Sequence, residues 1–155
     1  MQVLVVCTGN TCRSPLGEVL LRAHLAADPR LAGVTVASAG TNAAPGAPAS
    51  EGSYLVALER GLDLSAHRAR LLTREMVSAA DLILVMGGSH ARAVRAMGGA
   101  GKTHTVVDFA EAHRGGSPDV ADPFGGDVEE YRATGDMLDR LMAAVASRLA
   151  REVAS

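Results

Sequence analysis

Four short runs of β-branched and apolar residues punctuate the chain: Gln2 to Val6, Val34 to Ala37, Leu82 to Met86 and Thr103 to Val107, each edged by Gly, Asn, Ser or Asp. Their length and borders read as strands. Helical periodicity fills the intervals. Pro15 to Ala26 carries Leu16, Val19, Leu20 and Ala23 on one face, and about Ala49 to Arg60 turns Tyr54, Leu55 and Leu58 inward. Shorter helices are expected at Thr73 to Ala79 and Ser89 to Met97. The longest runs from Val128 to Glu152, where Val128, Tyr131, Leu138, Leu141, Met142, Val145 and Leu149 form one stripe with Gly135 inside it. Repetition of strand, helix and strand predicts right-handed crossovers and an open parallel α/β sheet covered on both faces. Such a sheet receives ligands outside the carboxyl ends of its strands. The stretch CTGNTCRSP, Cys7 to Pro15, stands at one of those ends, and two loops, Asn42 to Pro48 and Ala110 to Gly126, complete the outline.

A chain of 155 residues that is 48% hydrophobic and 21% charged is expected to form one domain, residues 1–155, with no room for a second. Its formal net charge of −2 removes long-range attraction to nucleic acid or to an anionic membrane as a driving force, so no nucleic-acid or membrane partner is expected. MQVLVVCTGN has no positively charged leader region, and no later apolar stretch reaches the roughly 18 residues of a membrane span. A cytoplasmic location is the expectation. The two cysteines, Cys7 and Cys12, cannot build a disulfide framework, and a reducing compartment keeps them as thiols.

Ser14 suits a helix N-cap and Pro15 the first helical position, so a helix N-terminus is expected to aim free N–H groups at the loop around Gly9. That is an anion site. A nucleotide-binding P-loop is disfavoured, because no Gly-Lys-Ser/Thr follows Gly9. The sharper feature is Cys7 with Arg13 six residues on: a loop curling between them surrounds one phosphate with amides while the guanidinium grips two oxygens. An ordinary thiol, with a pKa of about 8.5, is only a few per cent thiolate at neutral pH, so a nucleophile here needs the helix terminus, the converging amides, Arg13 and the Ser14 hydroxyl acting together. The alternative for Cys7 is a small core residue at the end of a buried strand. Cys12 either packs or forms a reversible disulfide with Cys7. No metal is expected, since C-x2-C spacing and paired histidines are both absent.

A thiolate that displaces a poor leaving group needs an acid. In DVADPFGGDVEEY, Pro123 restricts Asp122 to extended backbone, which holds its carboxyl out toward a neighbouring strand end. Asp122 is the candidate acid and then base, with Asp119 as its competitor and a simple Asp-Pro turn as the alternative.

Taken together, VCTGNTCRSP, SAGT at Ser38 to Thr41, GLDLSAHRARLLT at Gly61 to Thr73, ADLILVM at Ala80 to Met86 and DPFGG at Asp122 to Gly126 resemble the low-molecular-weight protein tyrosine phosphatase family over essentially the whole chain. The resemblance implies a three-layer fold whose four-stranded parallel sheet has helices on both faces. It also implies two-step hydrolysis without metal or organic cofactor. Cys7 would attack phosphorus, Arg13 and the loop Thr8, Gly9, Asn10, Thr11 and Cys12 would hold the phosphoryl oxygens, and Asp122 would protonate the leaving group and then deprotonate water. Ser14 would hydrogen-bond the sulfur, Asn10 would brace the loop through an unusual backbone conformation, and Ser38 and His67 would support it from behind. His24, His90, His104 and His113 carry no role in this reading. Phosphorylated proteins would be substrates, with inorganic phosphate as product and inhibitor.

Family members that cleave phosphotyrosine commonly carry a bulky aliphatic residue at the position of Thr11 and aromatic residues after the Asp-Pro step. Here Thr11 is small and polar, the chain has no Trp, and Phe124 is followed by glycines. Thr11 with DPFGG is similar to the protein-arginine phosphatase branch, in which the threonine helps orient water and the pocket admits a guanidinium. A pocket with a hydroxyl and a carboxylate suits such a cation. Phosphoarginine is therefore placed ahead of phosphotyrosine. An arsenate reductase on the same scaffold would need further cysteines, and a phosphate-binding regulatory module is the non-catalytic rival.

Overall fold

The computed structural model describes residues 1–113 and 115–154; Arg114, within the expected Ala110 to Gly126 connection, and Ser155 lie outside them. Four parallel strands, β1 (Gln2–Cys7), β2 (Thr35–Gly40), β3 (Leu82–Val85) and β4 (Thr103–Thr105), pair in the order β2-β1-β3-β4. The helices are α1 (Arg13–Ala26), α2 (Glu51–Glu59), α3 (Arg74–Ala79), α4 (Gly88–Val94), α5 (Val106–Glu111) and α6 (Val128–Ala154). Strand alternation sorts the core into two layers. Val3, Val5 and Cys7 of β1 join Leu82 and Leu84 of β3 beneath α1, α2, α5 and α6. Leu4, Val6, Ile83 and Val85 face the other way, onto Val77 of α3 and Ala91 and Val94 of α4. All four strand ends thus leave the sheet on one side, where Cys7 stands at the inner pair β1 and β3.

Several elements differ from the sequence reading, each for a local reason. β2 runs on to Gly40, and β4 stops at Thr105. Val106 and Val107 open α5 instead, because the Thr105 side chain accepts the Asp108 N–H at 3.1 Å and caps a helix there. In α2 the buried residues are Ser53, Val56 and Ala57, while Leu55 and Leu58 are exposed. This helix packs by its small-residue face: Ser53 Oγ donates to the Cys12 carbonyl at 3.0 Å, and a Cβ on Gly52 would sit 2.5 Å from the Tyr131 ring. α4 ends at Val94 and gives way to a π-helical turn, Arg95–Gly99, that closes through Gly98 at φ 100°. Helix α6 continues through Gly135, whose missing side chain admits Val56; of its expected stripe only Val128 is exposed. Among the described residues no helix is long and apolar enough to cross a membrane.

Candidate active site

The loop between β1 and α1 is fastened from below by β2. The Cys7 and Thr8 carbonyls accept the Thr41 and Asn42 N–H groups at 3.0 and 2.9 Å. Gly40 makes this approach feasible, because a Cβ there would lie 2.5 Å from the Thr8 oxygen and 2.9 Å from the Asn10 nitrogen. Asn10 then takes a left-handed backbone, φ 55°, a region that asparagine tolerates better than most residues. Its fully buried side chain donates to Ser14 Oγ at 2.8 Å and Ser38 Oγ at 2.9 Å and accepts the Arg70 N–H at 2.9 Å. His67 Nε2 donates to the Asn10 carbonyl at 2.7 Å, and the Ser38 hydroxyl donates to Glu18 Oε1 at 2.5 Å. Asn10, Ser38 and His67 are thus brought together as the sequence suggests, with Arg70 and Glu18 as members it did not.

These bonds set the polarity of the next one. Ser14 Oγ already accepts a proton from Asn10, so its own proton is free for Cys7 Sγ, 2.9 Å away. Ser14 is therefore not the N-cap. Cys12 holds that position without a side-chain cap bond, the helix starts at Arg13, and Pro15 falls third in it. Replacing Asn10 with alanine removes three buried side-chain bonds and leaves alanine in a left-handed conformation. We expect a loss of roughly 2–4 kcal/mol in urea unfolding. A change within about 0.5 kcal/mol, the scale of an ordinary surface substitution, would remove Asn10 as the brace.

Arg13 is buried and its guanidinium reaches a segment from the far end of the chain: Nη1 donates to the Val120 carbonyl at 3.0 Å, and Nη2 lies 3.6 Å from Asp122 Oδ2. The segment is pinned over the end of β3 by the Val120 N–H on the Met86 carbonyl, 2.9 Å, and the Gly88 N–H on Asp119 Oδ1, 3.1 Å. Asp119 is thereby an anchor, whereas the Asp122 side chain stays half exposed beside Arg13, its Oδ1 accepting the Phe124 N–H at 3.1 Å. Phe124 itself is 76% exposed.

Cys7 and Cys12 are both buried thiols. Cys12 Sγ lies 3.5 Å from the Tyr131 hydroxyl and 3.8 Å from Thr11 Oγ1. Burial, followed by the hydrogen bond to Cys12, pushes the Tyr131 phenol above its ordinary pKa. His90 is the principal omission of the sequence reading: it is buried on α4, with Nε2 2.8 Å from Thr8 Oγ1. The available signal was its place just beyond the carboxyl end of β3, where open α/β sheets build their sites. A cleft of about 750 Å³ lies away from Cys7. It sits beside α4 and α5, lined by Arg92, Arg95, Asp108 and Arg148 among others, and reaches the site at Asp119. Among the described residues no group of three or more His, Cys, Asp or Glu side chains is placed to hold a metal ion.

A sulfur within hydrogen-bond reach of a hydroxyl, a buried guanidinium and a half-exposed carboxylate, gathered where a tight loop enters a helix, have the chemistry that cysteine-based phosphoryl transfer requires. The chain's family follows from comparison with known proteins. A model of the low molecular weight phosphotyrosine protein phosphatase family matches residues 2–155, and the chain belongs to that family. A protein-arginine-phosphatase of Geobacillus stearothermophilus is 39% identical over 153 residues, 97% of each chain. Its solved structure superposes with a TM-score of 0.87 at 38% identity, covering 97% of this chain and 94% of that one. The low molecular weight protein-tyrosine-phosphatase Etp of Escherichia coli K12 is 38% identical over 151 residues, 96% of this chain and 95% of its own. A YwlE arginine phosphatase mutant with a phosphorylated active-site serine superposes at a TM-score of 0.86, with 33% identity and coverage of 96% and 95%.

Proposed function

We propose that this protein hydrolyses phosphorylated protein side chains through a cysteinyl-phosphate, and that protein phosphoarginine is preferred to phosphotyrosine. The chain of bonds from Asn10 through Ser14 to Cys7 Sγ carries the reading, because it aims a proton at the one atom that must act as nucleophile and then as leaving group. Cys7 Sγ attacks phosphorus while the bond to the substrate nitrogen or oxygen breaks and the leaving atom takes a proton from Asp122. The backbone N–H groups from Thr8 to Cys12 and the Arg13 guanidinium hold the phosphoryl oxygens. Water then attacks phosphorus, Asp122 takes its proton, and the sulfur departs as a thiolate that Ser14 stabilises. Inorganic phosphate is the product and, by occupying the same loop, an inhibitor. A cytoplasmic location fits two cysteines that must remain thiols.

Two features favour the arginine substrate. Thr11 brings a hydroxyl to the loop where a bulky aliphatic side chain would favour a phenyl ring, and Phe124 is the sole aromatic residue after Asp122 in that loop. The arginine-phosphatase name carried by the Geobacillus relative agrees with this preference. Hydrolysis of a small aryl phosphate at mildly acidic pH tests the activity; a wild type without turnover would sink it and leave a phosphate-binding module. Thr11→Ile tests the preference. The ratio of kcat/KM for phosphoarginine over phosphotyrosine peptides should fall by about tenfold, the scale of one pocket contact. An unchanged ratio would remove Thr11 from substrate choice.

A further inference from the structure

We propose that His90 is a positioning residue of the phosphate loop: its Nε2–H donates to Thr8 Oγ1 and so leaves the Thr8 hydroxyl proton to the phosphoryl group. This rests on the phosphatase reading of the loop. His90 lies in the first turn of α4 and is only 5% exposed, yet it reaches Thr8, the residue after the nucleophile, at 2.8 Å. The other ring nitrogen, Nδ1, is buried and has no partner among the described residues.

That enclosed nitrogen settles the direction of the bond. A proton on Nδ1 would be a buried donor without an acceptor, and buried N–H groups are rarely left so. A proton on Nε2 leaves only a lone pair unmatched, which is the lesser cost. The Nε2–H tautomer follows, and Thr8 Oγ1 accepts from it. A hydroxyl that accepts from histidine keeps one proton of its own. Thr8 is exposed on the loop, so that proton is available at the mouth of the site, where charge builds on the phosphoryl oxygens.

The imidazolium form is opposed by the same enclosure, since it too would place a proton on Nδ1. Burial first and the Arg13 guanidinium second hold the His90 pKa below the usual histidine value, and the carboxylates of Asp119 and Asp122 counter them less strongly. The neutral ring is therefore the favoured form. His90 also links the ends of β1 and β3, the two strands that flank the site.

The test is a double-mutant cycle with His90→Leu, Thr8→Val and their combination, with His90→Gln as the variant that keeps an N–H donor of similar reach. Turnover of an aryl phosphate, affinity for inorganic phosphate measured calorimetrically, and Tm are recorded for each. His90→Leu and Thr8→Val should each lower kcat/KM and phosphate affinity by about tenfold, and the double variant by about the same tenfold, because both remove one donor. His90→Gln should retain most of the activity with a pH profile that overlays the wild type. A hundredfold loss in the double variant, full activity in His90→Leu, or a fall in Tm with unchanged activity per folded molecule would overturn the proposal. An acid limb that moves in His90→Gln would do the same. Failure of the phosphatase reading looks different: the wild type would not turn over, while phosphate affinity would still report on the His90 and Thr8 pair.

Discussion

Cys7→Ser should abolish turnover, lowering kcat by roughly 10⁴-fold or more, the scale seen when a nucleophile that acts in concert with its neighbours is removed. Oxygen replaces sulfur at nearly the same size, in a site where Cys7 is 2% exposed and packed at the end of β1, so the fold and the loop bonds of Asn10 survive. What is lost is the nucleophile. A serine hydroxyl does not ionise near neutral pH, and its neighbour Ser14 is itself a hydroxyl that Asn10 orients to donate rather than a base. Phosphate should still bind, since Arg13 and the loop amides are untouched. The measurement pairs aryl phosphate turnover with phosphate titration on the same preparation. Retained turnover would remove Cys7 as nucleophile, and loss of both would point to a collapsed loop.

The passage of the chain from β1 through the Cys7–Arg13 loop into α1 was legible because its geometry is local. Cys7, Arg13 and the loop between them are set by one strand end and one helix start. Pro123 pointed to Asp122 as the candidate acid, but what separates it from Asp119 in space was not legible: only the fold shows Asp119 on the Gly88 N–H and Asp122 beside Arg13. Local capping overrode strand propensity at Val106 and Val107, since a threonine three residues before an acidic side chain starts a helix whatever β-branched residues lie between. Hydrophobicity misplaced Leu55 and Leu58 of α2, though not Tyr54, which packs against the core, for a different reason. The helix approaches Tyr131 closely, so small residues fill its contact and the leucines are left outside. Ser14 was misread as a cap because its tertiary partners, Cys7 and Asn10, claim the hydroxyl. His90 was passed over because its one signal, a place just beyond the end of β3, names no partner, and Thr8 lies 82 positions away.

Asp122→Asn should separate leaving groups. With a poor one, such as the guanidine of a phosphoarginine peptide or an alkyl alcohol, kcat/KM should fall by about 10²–10⁴-fold, the usual worth of a positioned general acid. With an activated aryl phosphate, whose leaving oxygen needs little protonation, the loss in the first step should be only a few fold. The substitution is gentle on the fold. An amide oxygen can still accept the Phe124 N–H, Arg13 keeps its bond to the Val120 carbonyl, and the lost ion pair is long, 3.6 Å, with a half-exposed carboxylate that water screens. In the proposed second step Asp122 takes the proton of water, so the variant should release the first aryl alcohol in a burst and then stall with phosphate on Cys7. Asp119→Ala provides the contrast. Asp119 anchors the segment through the Gly88 N–H, so its loss should weaken all substrates alike by displacing the segment as a whole. If Asp122→Asn also lowers every substrate by one factor and shows no burst, Asp122 shares that anchoring role and the acid must be sought elsewhere.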